Sequence, residues 1–396
     1  MNSKNIQSGK SFYARVYKIN KGKNSQHAYF ATIRKEEIQR LSITEKDAVL
    51  LNILDQMFPA VIRKLKTSGN RFMLGFTVPF IIGENLQLKT DLIFNLLKKN
   101  TIFKEPIKRK DKLNLQEIIS VKTIRNYPIY LFDFGENLMM WIYSKGNKPY
   151  ILPKHVPIEN NHYNLFEFAG AFFCEGFKAR KKNKHRDRFS FSNADPEQVA
   201  FFLNASEKLL NIPKKEWKAQ ILHPNFNQIS NLTKLWSKLG VSKERIKIIE
   251  NKTVLAKQGV CILYITNSTL AEIICILIKY LEKESLKSKE NALNFFRGLS
   301  RGDLGVSHKD RSIKFSTESK KNAIFFRKLC NVLEIPTNKI YHNKKGINGY
   351  WGSNVSISYT LLTKLIEMNA ITHSKRKARL QDIIANTKRK TLNQKV

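Results

Sequence analysis

Acidic residues are scarce in this chain: 32 aspartates and glutamates stand against 70 lysines and arginines in 396 residues, a formal net charge of +38. An imbalance of that size points to a polyanionic partner, with nucleic acid the best fit. Long apolar runs are also lacking. None approaches the roughly 20 residues needed to span a bilayer, so no membrane partner is expected. Residues 1–10 are polar and lack the apolar core of a secretory signal. Cysteine is limited to Cys174, Cys261, Cys275 and Cys330, without the close pair of a zinc site. Their apolar or periodic surroundings argue for buried thiols in a reducing compartment. The expected location is the cytoplasm of an archaeon or bacterium, or an organelle. His185, His308 and His342 are not spaced as a zinc cluster.

The length allows two or three domains with their own cores. Residues 1–150 read as a small mixed α/β region with an accessory DNA-binding or packing role. Within it, residues 11–17 and 27–33 alternate like a hairpin around a lysine-rich turn, residues 35–41 fit a short helix, and residues 48–54 fit a strand. This pattern resembles the swapped-hairpin module of bacterial and archaeal transition-state regulators, although a packing domain with a wet basic face fits the same residues. Residues 86–98 have helical spacing and residues 106–113 form a basic connection. Residues 127–134 and 137–143 read as two strands around a turn. Residues 151–164 read as a linker, with Pro153 and Pro157 opposing regular structure.

From residue 165 the chain repeats itself. The stretch Leu165-Phe166-Glu167-Phe168-Ala169-Gly170-Ala171-Phe172-Phe173-Cys174-Glu175-Gly176 is an apolar helix candidate that ends on a carboxylate. Leu293-Asn294-Phe295-Phe296-Arg297-Gly298-Leu299-Ser300-Arg301-Gly302-Asp303-Leu304-Gly305 repeats the plan. Phe191-Ser192 followed by Phe201-Phe202 recurs as Phe315-Ser316 followed by Phe325-Phe326, and leucine-rich helices then end near Ile212-Pro213 and Ile335-Pro336. Strands at 259–266 and 354–359 precede helices at 270–281 and 361–368. The first half carries extra material at 217–247 with an amphipathic segment, 229–239. A single acid at a helix end is usually an ordinary solvated group. Two of them, on small-residue helices followed by similar basic strands, favour a shared site.

These motifs resemble those of the LAGLIDADG homing endonucleases of the single-chain, two-repeat type. The resemblance implies an α+β fold, a duplicated LAGLIDADG endonuclease-like arrangement with two central motif helices and DNA-facing antiparallel sheets. Its repeats would be residues 165–289 and 290–380, followed by a basic tail, 381–396. It further implies a monomer with internal pseudo-twofold symmetry that cleaves double-stranded DNA with Mg2+, Mn2+ serving as a substitute, and Glu175 and Asp303 as the metal-binding catalytic acids. The family's basic residues after each repeat correspond to Lys287 or Lys289 and Lys375 or Lys377. Leu304 departs from the family's glycine, and Arg301 replaces an acid at a less essential position. A noncatalytic DNA-binding regulator or an RNA splicing maturase on the same scaffold is the alternative. The chain starts Met1-Asn2 and ends Lys395-Val396, without an intein's terminal arrangement, so a free-standing or intron-associated enzyme is the expectation.

Independently of the resemblance, two convergent carboxylates beside phosphates would bind magnesium, orient water and stabilise the charge of a displacement. DNA would lie along hairpins at 177–182 with 188–193 and at 305–309 with 311–317. Strand alternation gives Lys178, Arg180, Lys309, Arg311 and Lys314 as candidate DNA contacts; the basic density of the first hairpin adds Lys182 and Arg188, and Ser190 and Ser192 are either base or phosphate contacts or ordinary outer-face polar residues. Trp217, Trp236 and Trp351 are expected to pack rather than to stack on bases.

Overall fold

The computed structural model describes residues 11–18, 29–42, 48–53, 56–68, 71–77, 91–96, 111–119, 123–124, 127–134, 136–142, 150–176, 188–225, 229–307, 312–343, 350–356 and 359–393. The chain forms two compact units, one of residues 1–156 and 266–273, the other of 157–265 and 274–396. Among the described residues, no helix is long and apolar enough to cross a membrane.

The first unit is built on a closed barrel in the order Ser11–Lys18, Tyr29–Arg34, Arg71–Thr77, Gln56–Ser68, Ala48–Ile53 and Asp91–Leu96. Closure leaves no sheet edge to be protected. The expected hairpin is present, with Arg15 opposite Thr32 and Lys18 opposite Tyr29, and the expected short helix is Lys35–Leu41. The helical expectation for residues 86–98 is overturned, because Asp91–Leu96 is a strand. It pairs with Ser11–Lys18 on one side and Ala48–Ile53 on the other. A short apolar run suits either state, and pairing on both edges decides it. Strands Tyr127–Phe134 and Asn137–Ile142 pair as anticipated.

The segment read as a linker is also corrected. It contains the strands Tyr150–Pro153, His155–Pro157, Glu159–Asn160 and Tyr163–Asn164. Pro153 and Pro157 stand at strand ends, where a missing N–H costs no ladder bond. Val156 and Leu152 are buried beside them in sequence.

The second unit is organised around two helices, Leu165–Glu175 and Lys289–Arg301. The first buries all of Leu165 to Phe173 and starts with the Asn164 side chain accepting from the Phe166 N–H at 2.9 Å. The second starts with Ser288 accepting from the Asn291 N–H at 3.1 Å. Such caps satisfy one of the unpaired amides at a helix start. Each helix leads into a four-stranded sheet. The first runs Arg188–Asn193, Val260–Thr266, Lys218–His223, Ile246–Glu250, and the second runs Leu304–Ser307, Ser312–Thr317, Tyr350–Ser356, Tyr341–Asn343.

Corresponding contacts recur in the two halves. The residue after Glu175, Gly176, bridges to Phe191, and the residue after Asp303, Leu304, pairs with Phe315. Phe191 stacks on Phe202 at 4.1 Å, as Phe315 does on Phe326 at 4.6 Å. Phe168 stacks on Phe202 at 4.9 Å, as Phe296 does on Phe326 at 6.1 Å. The extra material of the first half supplies the helix Ile229–Ser237 and the strand Ile246–Glu250, which joins its sheet in parallel. The C-terminal residues continue as a helix, Ser374–Asn393. Trp217 and Trp236 are buried in packing roles, and Trp351 stacks on His342 at 4.5 Å.

Candidate active site

The two central helices touch backbone to backbone. A Cβ placed on Gly170 would lie 2.2 Å from the Phe295 carbonyl oxygen, and one on Gly298 would lie 2.1 Å from that of Glu167. Only glycine permits this approach, and its consequence is that the two C-terminal ends emerge side by side. A Cβ on Gly302 would lie 3.1 Å from Glu175 Cγ. Bond geometry then places the Cα of Asp303 within about 11 Å of that of Glu175.

The two acids act on each other electrically. The Glu175 carboxyl is pushed up to about 7, first by burial and then by the Asp303 charge, with Arg376 opposing both. Asn193 donates its side-chain N–H to Glu175 Oε1 at 3.1 Å. Arg376 donates to the Ser300 carbonyl at 2.5 Å and the Gly302 carbonyl at 2.6 Å, on either side of the second helix exit. Burial pushes the Arg376 guanidinium down, while the charges of Cys174, Glu175 and Asp303 support it. A cation there offsets the negative end of the helix as well as the acids.

A cleft of about 400 Å³ opens beside Glu175, lined in part by Ser192, Asn193, Asp195, Gln258, His373 and Arg376. Asp195 caps the helix Pro196–Leu210 by accepting from the Glu197 N–H at 3.0 Å. It also pairs with Lys375 at 2.8 Å and faces His373 Nε2 at 3.5 Å. Burial raises the Asp195 carboxyl, but the hydrogen bonds from Lys375 and the Glu197 backbone and the charges of Lys375 and His373 outweigh it and hold it below the ordinary range. Burial and Arg376 hold His373 below its ordinary value against the pull of Glu197 and Asp195.

Arg301 also lines the cleft; its Nε donates to Glu167 Oε1 at 2.7 Å, and Thr372 Oγ1 donates to the same oxygen at 3.0 Å. The guanidinium lies 3.9 Å over the Phe201 ring. Arg301, where the resemblance implied an acid, therefore pairs with an acid from the other central helix.

The anticipated catalytic lysines part company. Lys375 reaches the cleft through Asp195, and Lys377 donates to Asn369 Oδ1 at 3.0 Å. Lys287 and Lys289 pair with Glu284 and Glu334 at 2.6 and 2.5 Å, both lysine side chains exposed. Lys289 opens the second central helix and Asp303 follows its other end, about 20 Å away at 1.5 Å per residue. The structure does not bring these two lysines to the acids. Arg376, hidden between the two lysines of one basic run, is a cation that faces them.

Of the anticipated DNA contacts, Lys178, Arg180, Lys182, Lys309 and Arg311 lie outside the described residues. Ser192 lines the cleft, whereas Ser190 is buried between Phe189 and Phe191. Arg188 lies 4.7 Å over the Tyr264 ring. Lys314 is partly exposed on the strand Ser312–Thr317.

Leu304 is accommodated by an earlier helix exit. The first helix runs through its acid-bearing residue, Glu175, but the second stops at Arg301 and turns through Gly302, with φ −108° and ψ −100°. A Cβ on Gly302 would meet Cys174 Cβ at 2.3 Å. The glycine demand has moved two residues back, and Leu304 is a buried strand residue.

Glu175 and Asp303 offer hard oxygen donors suited to magnesium. A divalent cation between them would offset the mutual repulsion that raises Glu175. Among the described residues no three side chains of the usual metal-binding types come together, so phosphate oxygens and water would complete the shell. No protein-family model matches the chain, and no curated protein matches it.

Proposed function

We propose that the chain is a magnesium-dependent, site-specific double-stranded DNA endonuclease of the LAGLIDADG type, a monomer whose two repeats surround a pseudo-twofold centre. The observation that carries this reading is the convergence of Glu175 and Asp303 from helices crossed at Gly170 and Gly298. The recurring phenylalanine stacks and the matching strand pairings after each acid support the duplicated architecture.

In this reading Glu175 and Asp303 hold the cation, and Asn193 fixes the orientation of the Glu175 carboxylate. Magnesium held there would supply Lewis acidity at the attacked phosphate and lower the pKa of a bound water. Arg376 neutralises the acids and presents positive charge to the phosphate, while Lys375 helps hold Asp195 at the rim. The net charge of +38 draws the duplex in and makes affinity fall steeply with salt. The N-terminal barrel adds DNA contacts or packing.

The early helix exit and Leu304 favour a second reading, a noncatalytic DNA-binding regulator or RNA maturase on the same scaffold. Incubating the purified chain with a randomised duplex library, in Mg2+ or in chelator, separates the two. Discrete cuts that require Mg2+ support the endonuclease; salt-sensitive retention of duplex or structured RNA with no cuts in Mg2+ or Mn2+ supports the second reading.

A further inference from the structure

Residues 251–259 connect the strands Ile246–Glu250 and Val260–Thr266 and hold Leu255 out in water, 96% exposed. The connection is tightly held. Val254 N donates to the Asn251 carbonyl at 3.1 Å and Gly259 N to the Ala256 carbonyl at 2.9 Å, two turns with Leu255 at their junction. Asn251 Oδ1 accepts from Thr253 N at 3.0 Å and from Thr253 Oγ1 at 2.7 Å. Both ends are anchored in the core. Asn251 N donates to the His223 carbonyl at 2.9 Å, the buried His223 ring meets the Lys257 carbonyl at 3.1 Å, and buried Trp236 donates to the Gln258 carbonyl at 3.1 Å. Gly259, at φ +73°, makes the return where a Cβ would meet the Leu222 carbonyl at 2.6 Å.

A single exposed leucine needs no explanation by itself. The position of this one does. Gln258, three residues on, donates to the Ala194 carbonyl at 2.9 Å and lines the cleft that also contains Glu175 and Asn193. Lys252 and Lys257 flank the leucine, both exposed, and residues 251–258 contain no acid.

We propose that Leu255 is a wedge that enters the base stack of duplex DNA beside the acid cleft, with Lys252 and Lys257 on the neighbouring phosphates. The inference takes its substrate from the endonuclease reading and adds how the duplex is deformed. Apolar side chains pushed between base steps unstack them and kink the duplex by about 20–90°. A wedge on a braced loop loses little conformational entropy on binding. Steps that unstack easily, pyrimidine followed by purine, would be preferred at the wedge without any hydrogen bond to a base.

The test uses the full chain and short duplexes that it retains from a randomised pool, with Ca2+ in place of Mg2+. 2-Aminopurine is scanned along the duplex and energy transfer is read between its ends. The expected result is brightening at one step and a bend of at least about 20°. Leu255→Ala loses both while duplex affinity falls less than about tenfold, since the phosphate contacts remain, and Leu255→Met keeps both. A bound duplex that neither brightens nor bends, or one that does so equally with Leu255→Ala, overturns the wedge and leaves the endonuclease reading standing. If the wild-type chain retains no duplex, the endonuclease reading falls and the wedge falls with it.

Discussion

Gly170 and Gly298 stand so close that neither position has room for a side chain: a Cβ on Gly298 would lie 2.7 Å from Gly170 Cα. This contact sets the spacing of the two helix ends and hence of Glu175 and Asp303. Gly298→Val is therefore expected to destabilise the chain by about 3 kcal/mol or more in urea unfolding. Gly305→Ala, whose Cβ would meet only the Lys314 carbonyl at 3.9 Å, is expected to change stability by less than about 0.5 kcal/mol.

Glu175 makes apo stability depend on pH. Its carboxyl rises from 4.5 to about 7 in the fold, so between those values the folded chain holds a proton that the unfolded chain has released. The resulting stability is fully present below the lower value and lost as pH rises through about 7. The contribution is on the order of 3 kcal/mol. Urea unfolding in chelator at pH 5 and pH 8 should show that loss in the wild type, and Glu175→Gln should remove it. Mg2+ should protect the wild type more at pH 8 than at pH 5, since binding needs the ionised acid.

The Arg301–Glu167 pair is buried, with side chains 14% and 9% exposed. Arg301→Met removes the charge partner of Glu167 and should cost about 3–5 kcal/mol, whereas Glu167→Gln should cost less, since Arg301 keeps Glu197 at 3.9 Å. The Arg301→Met, Glu167→Gln double variant should be more stable than the sum of the single losses predicts. Strict additivity in urea unfolding would contradict a coupled pair.

The cations at the two ends of the second central helix should separate cleanly in a cleavage assay. Arg376→Ala is expected to lower the rate by about 100-fold or more, as losing a fixed charge stabiliser does. Lys287→Ala and Lys289→Ala break only exposed pairs and should leave urea unfolding little changed, with the cleavage rate unchanged.

The sequence revealed the repeated elements because phenylalanines and glycines recur at matched spacing, and the same match picked out Glu175 and Asp303. The spacing at 86–98 does not show the strand Asp91–Leu96, because a short apolar run carries no information about partners far away in the chain. Lys289 falls at the helix end away from the acids, and sequence adjacency to a repeat boundary says nothing about which end the acids occupy. Arg376 was concealed by its lysine neighbours, all three being equally basic. Its distinguishing property, burial against the Ser300 and Gly302 carbonyls, exists only in the fold. Asn193 and Asp195 carry no signal beyond their places at the end of, and just after, the strand that follows the first acid.

Cleavage of a randomised duplex library in Mg2+, comparing the wild type with Glu175→Gln and Asp303→Asn, addresses the paired acids directly. The expected outcome is discrete cutting by the wild type and loss of at least about 100-fold in each variant, with duplex retention preserved. Cutting at the wild-type rate by both variants would contradict the assignment of these carboxylates to the chemistry.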